Sequence, residues 1–151
     1  MMIRVEKATE MDIQWISQAQ IAMALETENL RLEPEVVSAG VKFMFDHPDR
    51  GFYLVARGPE ATPVGCLLIL KEWSDWRNGD VWWIHSVYVL PGYRGQGIFK
   101  QMFNLIEALA RSLGVRGLRL YVDKANVSAQ RVYQQLGMNC DHYLLYEKMI
   151  Q

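Results

Sequence analysis

Cysteine is nearly absent: Cys66 and Cys140 are the only two in 151 residues, far apart and in apolar surroundings. Neither a disulfide framework nor the paired spacing of a zinc site can be built from them, so both read as buried free thiols and no metal is expected. An excess of charge of one sign is missing too. Sixteen Lys and Arg stand against seventeen Asp and Glu, a formal net charge of −1, which provides no global field toward nucleic acid or an anionic membrane. Long apolar runs are also lacking, so no segment reads as a membrane span, and Met1 to Lys7 alternates charged and apolar residues. A cytoplasmic protein with neither nucleic-acid nor membrane partners is expected.

Half of the positions are hydrophobic, enough at this length for one core without metals or disulfides. No internal repeat, linker or low-complexity stretch interrupts the chain, and a single domain over 1–151 is expected. Residues 2 to 7 alternate as a strand. Thr9 and Asp12 resemble a variant capping box before a helix with Ile13, Ile16, Ala19 and Met23 on one face. A second helix is predicted from Pro34, a first-turn residue, to His47, with Glu33 and Glu35 at its electropositive start. Phe52 to Arg57, Val64 to Glu72 and Val81 to Leu90 read as strands of an antiparallel meander, with a turn at Asn78-Gly79. A helix with Ile98, Met102, Leu105, Ile106, Leu109 and Leu113 at 3.6-residue spacing follows and is stopped by Gly114. Leu118, Leu120 and Val122 alternate as a strand, Asn126 caps a short helix closed by Gly137, and Cys140 to Met149 is strand-like. This order predicts an α/β (α+β) fold with one mixed, largely antiparallel sheet flanked by about four helices.

Between the third meander strand and the long helix lies Pro91-Gly92-Tyr93-Arg94-Gly95-Gln96-Gly97. Its glycines let backbone N–H groups turn toward an anion at the helix start, where a diphosphate fits. No Gly-Lys-Ser/Thr follows, and glycines at 92, 95 and 97 do not spell G-x-G-x-x-G, so neither a P-loop nor a dinucleotide fingerprint is present. Taken alone, a plain strand-to-helix turn explains the segment equally well.

Arg94-Gly95-Gln96-Gly97-Ile98 after Val87-Tyr88-Val89-Leu90-Pro91, together with Asn126-Val127-Ser128-Ala129-Gln130-Arg131-Val132-Tyr133 and Leu136-Gly137-Met138, resembles the GNAT superfamily of N-acetyltransferases in motif, order and spacing. The resemblance extends from residue 2 to the end. It implies transfer of the acetyl group of acetyl-CoA to a primary amine by direct attack on the thioester. It assigns Val87, Tyr88 and Val89 backbone contacts to the pantetheine arm, and Arg94, Gly95, Gln96, Gly97, Ile98 and Phe99 the diphosphate. Asn126 helps hold coenzyme A, and Tyr133 is the general acid near sulfur. Phe99 stands where the family pattern has a small residue, and its side chain reads as packing.

The physical chemistry of each role is simple. A strand-like arm satisfies unpaired backbone groups, and the Val87 N–H can donate to the thioester oxygen as charge develops. An ammonium must lose a proton before it attacks. His85, two residues before Val87 and so on the same side of a regular strand, is the expected base or water holder, with a core-edge histidine as the alternative. Glu26 and Glu28 end the first helix, where its dipole disfavours carboxylates, which hints at acceptor binding beside the plain reading of an exposed end. Glu72 and Trp76, near Trp73, Asp75, Trp82 and Trp83, can wall a cation pocket, with core packing explaining at least half of the tryptophans. A non-catalytic acyl-CoA sensor is the alternative from the binding class, and a partner-binding domain using exposed tryptophans ranks third. The acceptor stays open among polyamines, amino acids, aminoglycosides, peptide termini and lysine side chains, as does a homodimer.

Overall fold

The computed structural model describes residues 2–150. Its chain divides into two compact units, Met1–Arg119 and Leu120–Gln151.

The first unit is built on a five-stranded sheet in the order β1 to β5: β1 Arg4–Lys7, β2 Gly51–Arg57, β3 Pro63–Ser74, β4 Gly79–Val89 and β5 Gly117–Arg119. The first four strands pair antiparallel, and β5 joins β4 in parallel. A parallel neighbour requires a crossover, which α3 (Ile98–Ser112) supplies. The mixed sheet and its helices match the expected class. The β3–β4 hairpin is longer at its turn end than the hydrophobic pattern suggested, since Trp73, Ser74 and Asp80 also pair.

Each face of the sheet has its own cover. On one, Tyr53, Val55, Cys66, Leu68 and Tyr88 pack with Ile16 and Ala19 of α1 (Ile13–Glu28) and Val41 of α2 (Pro34–Asp46). The other presents Leu54, Leu67, Ile69 and Ile84, all buried, while α3 buries Ile98, Met102, Phe103, Ile106 and Ala110 at helical spacing. The alternation of β2 and β3 is masked because both faces are covered, so these strands read as nearly continuous apolar runs.

A 3-10 turn, Glu10–Asp12, leads into α1, and the Asp12 carboxylate accepts from the Thr9 N–H at 2.9 Å, as the capping-box spacing predicts. Buried Asp12 also receives both terminal nitrogens of Arg57, at 3.0 and 2.8 Å. Arg57 in turn donates to Glu6, so one guanidinium ties the start of α1 to β1 and β2. At its far end α1 closes on Asn29, left-handed at φ 50°, whose N–H donates to the carbonyls of Ala24 and Leu25.

Within the second unit, α4 runs Val127–Gln135, and the Asn126 side chain accepts from the Ala129 N–H at 3.1 Å. Gly137, at φ 87°, lets the Met138 N–H reach the Tyr133 carbonyl and close the helix. Two expectations are corrected here. The strand predicted through Leu120 and Val122 ends at Arg119, and residues 140–149 form no strand. Alternation alone does not make a strand, because its N–H and C=O groups need a neighbouring edge, and Tyr143, Leu144 and Tyr146 are exposed. Cys140 is likewise exposed rather than buried, whereas Cys66 is buried as expected.

Candidate active site

The loop after β4 has the shape that its glycines suggested. Gly95 and Gly97 take φ of 74° and 77°, a region closed to most side chains, and Gly97 caps the start of α3. A Cβ at either position would meet no atom within 4 Å, so conformation, not crowding, requires glycine, and the space beside the loop stays open. Gly92 has neither the positive φ nor a close neighbour. The Gln96 side chain donates to the Gly92 carbonyl at 3.2 Å and braces the turn. The first turn of α3, with Ile98 buried, directs its N–H groups back toward this loop, as every helix start does. The Phe99 ring packs against Phe103, centroids 6.1 Å apart, in keeping with the packing role expected for it.

Arg94 lies at the mouth of this turn. Its Nε donates to the Val89 carbonyl at 2.8 Å, and its Nη2 donates to Glu26 Oε2 at 2.9 Å. The guanidinium carbon stands 5.3 Å from the centre of the Tyr88 ring. The Tyr88 hydroxyl donates to the other Glu26 oxygen at 3.3 Å. Burial, and then the Glu26 carboxylate, push the Tyr88 phenol up, so it remains a donor at neutral pH.

Strand β4 carries a bulge immediately before these residues. Cys66 pairs with Tyr88 and Leu68 with His85, so two residues, Ser86 and Val87, face the single Leu67. Ser86 adopts φ 55°, left-handed and costly for a serine. Its carbonyl accepts from the side-chain amide of buried Gln20 at 3.4 Å, and the same amide lies 3.7 Å from Cys66 Sγ. The bulge corrects the alternation expected for this strand. Cys66 and Leu68 share one face of β3, so their partners Tyr88 and His85 share that face of β4, and Val87 is out of step with His85.

His85 is half-buried, and its ring stacks on Trp83 at 6.0 Å. Burial pulls its pKa below the usual 6.5, so the imidazole is neutral and able to accept a proton at pH 7. Trp83 in turn donates its indole N–H to Glu72 at 3.1 Å, and Arg119 donates to the second Glu72 oxygen at 3.0 Å. Glu72 is thus engaged with two protein donors. Trp76 is 89% exposed at the hairpin tip, and Trp73 is also exposed, whereas Trp82 is buried in the core. Glu28 is the exposed last residue of α1.

Among the expected site residues, the first unit therefore brings Glu26 together with Tyr88 and Arg94, and separately links Glu72 to the Trp83–His85 stack. Gln20 was not expected as a partner of site residues, and Trp83, expected near Glu72 as a pocket wall, is also the stacking partner of His85. The signal for Gln20, a polar residue on the buried stripe of α1, carries no chemistry until the pairing is known, and the stacking of Trp83 on His85 follows only from their shared side of β4. Asn126 and Tyr133 belong to the second unit, where Asn126 caps α4 and burial pushes the Tyr133 phenol up, keeping it protonated. Two open hollows border the first turn of α1, lined among others by Glu10, Gln14, Gln18 and Arg57, and share no residue with the loop.

The first unit thus joins a bulged fourth strand, through a turn with two left-handed glycines, to the start of α3. Residues 15–138 match the Acetyltransferase (GNAT) family, and the chain belongs to that family. A possible acetyltransferase of Clostridium difficile 630 has the same fold, with a TM-score of 0.88 and 35% identity over the whole of both chains. Thialysine N-epsilon-acetyltransferase of Bos taurus is 34% identical over 74 residues, 49% of this chain and 43% of that protein. An uncharacterized N-acetyltransferase of Bacillus subtilis (strain 168) is 35% identical over 66 residues, 44% of this chain and 42% of that protein. The matches thus span less than half of these curated relatives. No helix among the described residues is long and apolar enough to cross a membrane.

Proposed function

We propose that the chain transfers the acetyl group of acetyl-CoA to a primary amine. The carrying observation is the turn at Gly95 and Gly97, both left-handed, open on one side and leading directly into the start of α3 beside Arg94. Such a turn fits a diphosphate, whose charge is met by backbone donors, the helix dipole and a guanidinium. Acetyl-CoA, when bound, supplies an acyl group already activated as a thioester.

The residues divide the remaining work. Backbone groups of Val87, Tyr88 and Val89 hold the pantetheine arm, and the bulge supports this role because it interrupts regular pairing at Ser86 and Val87. The Val87 N–H donates to the thioester oxygen as negative charge develops there. His85, neutral at pH 7, takes the proton lost by the attacking ammonium, directly or through water. Tyr133, whose phenol is protonated, gives a proton to the thiolate as the carbon–sulfur bond breaks, and Asn126 helps hold coenzyme A. Trp76 and Glu28, both exposed, remain available to a cationic acceptor. Glu72 supports the site by fixing Trp83 under His85.

Titration calorimetry tests the cofactor, with coenzyme A expected to bind far more tightly than a pantetheine fragment without the diphosphate. Equal affinities would remove the loop's assigned role. Amine-dependent release of free thiol from acetyl-CoA, measured over a panel of primary amines, tests the transfer. Binding of acetyl-CoA with no thiol release for any amine would instead mark an acyl-CoA sensor.

A further inference from the structure

The contact between Glu26 and Arg94 joins residues that neither a motif nor a sheet register brings together. Glu26 lies in the last turn of α1, where the partial negative charge of the helix end disfavours a carboxylate. Both of its oxygens are nevertheless engaged, one by Arg94 Nη2 at 2.9 Å and the other by the Tyr88 hydroxyl at 3.3 Å. Arg94 is held on three sides, by Glu26, by the Val89 carbonyl and by the face of Tyr88. The two side chains are 40% and 47% exposed. An ion pair so accessible to water adds little to stability, so either partner can be exchanged at small cost.

That exchangeability has a direction. The guanidinium beside the glycine turn is the one side-chain cation assigned to the diphosphate, and a carboxylate already occupies part of its donor fork. A diphosphate entering the turn must share Arg94 with Glu26 or displace it, and the Glu26 charge repels it in either case.

We propose that Glu26 is the counter-ion of Arg94 in the free protein and surrenders it to the diphosphate of coenzyme A, so that Glu26 sets cofactor affinity by competition. The inference rests on the proposed function, because it presumes that coenzyme A enters this turn. Glu26 therefore acts on the cofactor through Arg94 rather than on the amine acceptor. A carboxylate here keeps Arg94 ordered and neutralised until a dianionic group arrives, which favours ligands that carry the full diphosphate over smaller anions.

The test compares wild type with Glu26→Gln, which keeps the side-chain size and a hydrogen-bonding oxygen but removes the charge. Coenzyme A and the pantetheine fragment are titrated into each at low salt and again at high salt. Coenzyme A is expected to bind about threefold or more tightly to E26Q, the scale of one exposed charge pair, with the gain shrinking as salt screens it. Pantetheine affinity should not change. An independent measurement uses the wild-type protein: the Glu26 carboxylate carbon resonance, followed by NMR, should move on adding coenzyme A and stay in place on adding pantetheine. Unchanged or weaker binding of coenzyme A by E26Q, or a carboxylate resonance indifferent to coenzyme A, overturns the competition. If wild type fails to bind coenzyme A at all, the proposed function falls and this inference with it. Tight wild-type binding that E26Q leaves unaltered removes only the inference.

Discussion

His85 shows what a single residue's surroundings add to its identity. The sequence marks it as a base candidate by residue type and by its place two residues before Val87, and half-burial against Trp83 adds that its proton affinity is reduced. An unfolded chain begins to protonate this imidazole near pH 6.5, while the folded chain resists until a lower pH. Below 6.5 the unfolded state therefore binds more protons, and stability falls as pH falls through the window down to the folded pKa. Above 6.5 both states are neutral and the effect vanishes. His85→Gln should remove this part of the pH dependence, seen as urea midpoints for wild type and variant whose difference is constant above pH 7 and changes as the pH falls to 5, with wild type losing stability relative to the variant. In catalysis the same residue should place the acid limb of kcat/KM below pH 6.5, and H85Q should lose turnover together with that limb. A variant with unaltered rate and profile would leave His85 as a packing residue on the sheet.

Glu26 and Glu72, both expected as acceptor contacts, have protein partners that reading residues singly does not reveal. Glu26 and Glu72 were singled out for lying at a helix end and among tryptophans, and both sit in the expected elements. Their partners, Arg94 and Arg119, are 68 and 47 positions away. Nothing local in the chain announces such a pairing, because it depends on how α1 and β5 lie against β4. Tertiary partners convert a surplus carboxylate into a counter-ion, so charge at a conspicuous position does not by itself define a binding group.

At the scale of elements, local rules were reliable where one residue enforces the backbone and weak where pairing decides. Pro34 opens α2, Asn126 caps α4, and the left-handed turn falls at Gly95 and Gly97. The bulge at Ser86 and Val87 was invisible, since neither residue is a glycine and the strand pattern passes through them without a break. Its support comes from Gln20 of α1, a contact across the core. The loop glycines give this contrast a direct test. Alanine at 97 must take φ near 77°, which costs about 1–2 kcal/mol, and it shifts the N–H groups at the start of α3. Alanine at 92 meets no neighbour and needs no unusual backbone. Gly97→Ala should lower both the thermal midpoint and coenzyme A affinity, whereas Gly92→Ala should leave both near wild type. Equal effects of the two substitutions would mean that the turn, as described, does not bind the cofactor.

At the scale of the whole molecule, what the sequence made legible was a core, and the core belongs to the first unit. Its apolar residues recur with period 2 or 3.6 and are buried on both faces of a five-stranded sheet. In the second unit the same kind of pattern leads to a different outcome: α4 has no fully buried residue, Tyr133 being only partly buried, and the alternating tail forms no strand. A nine-residue helix is marginal on its own, because nucleation is costly and few backbone bonds follow it. Its caps at Asn126 and Gly137 satisfy terminal groups but bury nothing. Opening free energy should therefore differ sharply within one chain, as expected where buried apolar area differs. In native-state hydrogen exchange, amides of β2, β3 and β4 should exchange only through global unfolding, with a denaturant dependence equal to that of the whole protein. Amides of α4 should exchange through local opening, with little denaturant dependence, and those of residues 140–149 at close to unstructured rates. Protection in α4 that matches β3 would show that the helix is stabilised by burial and unfolds together with the sheet.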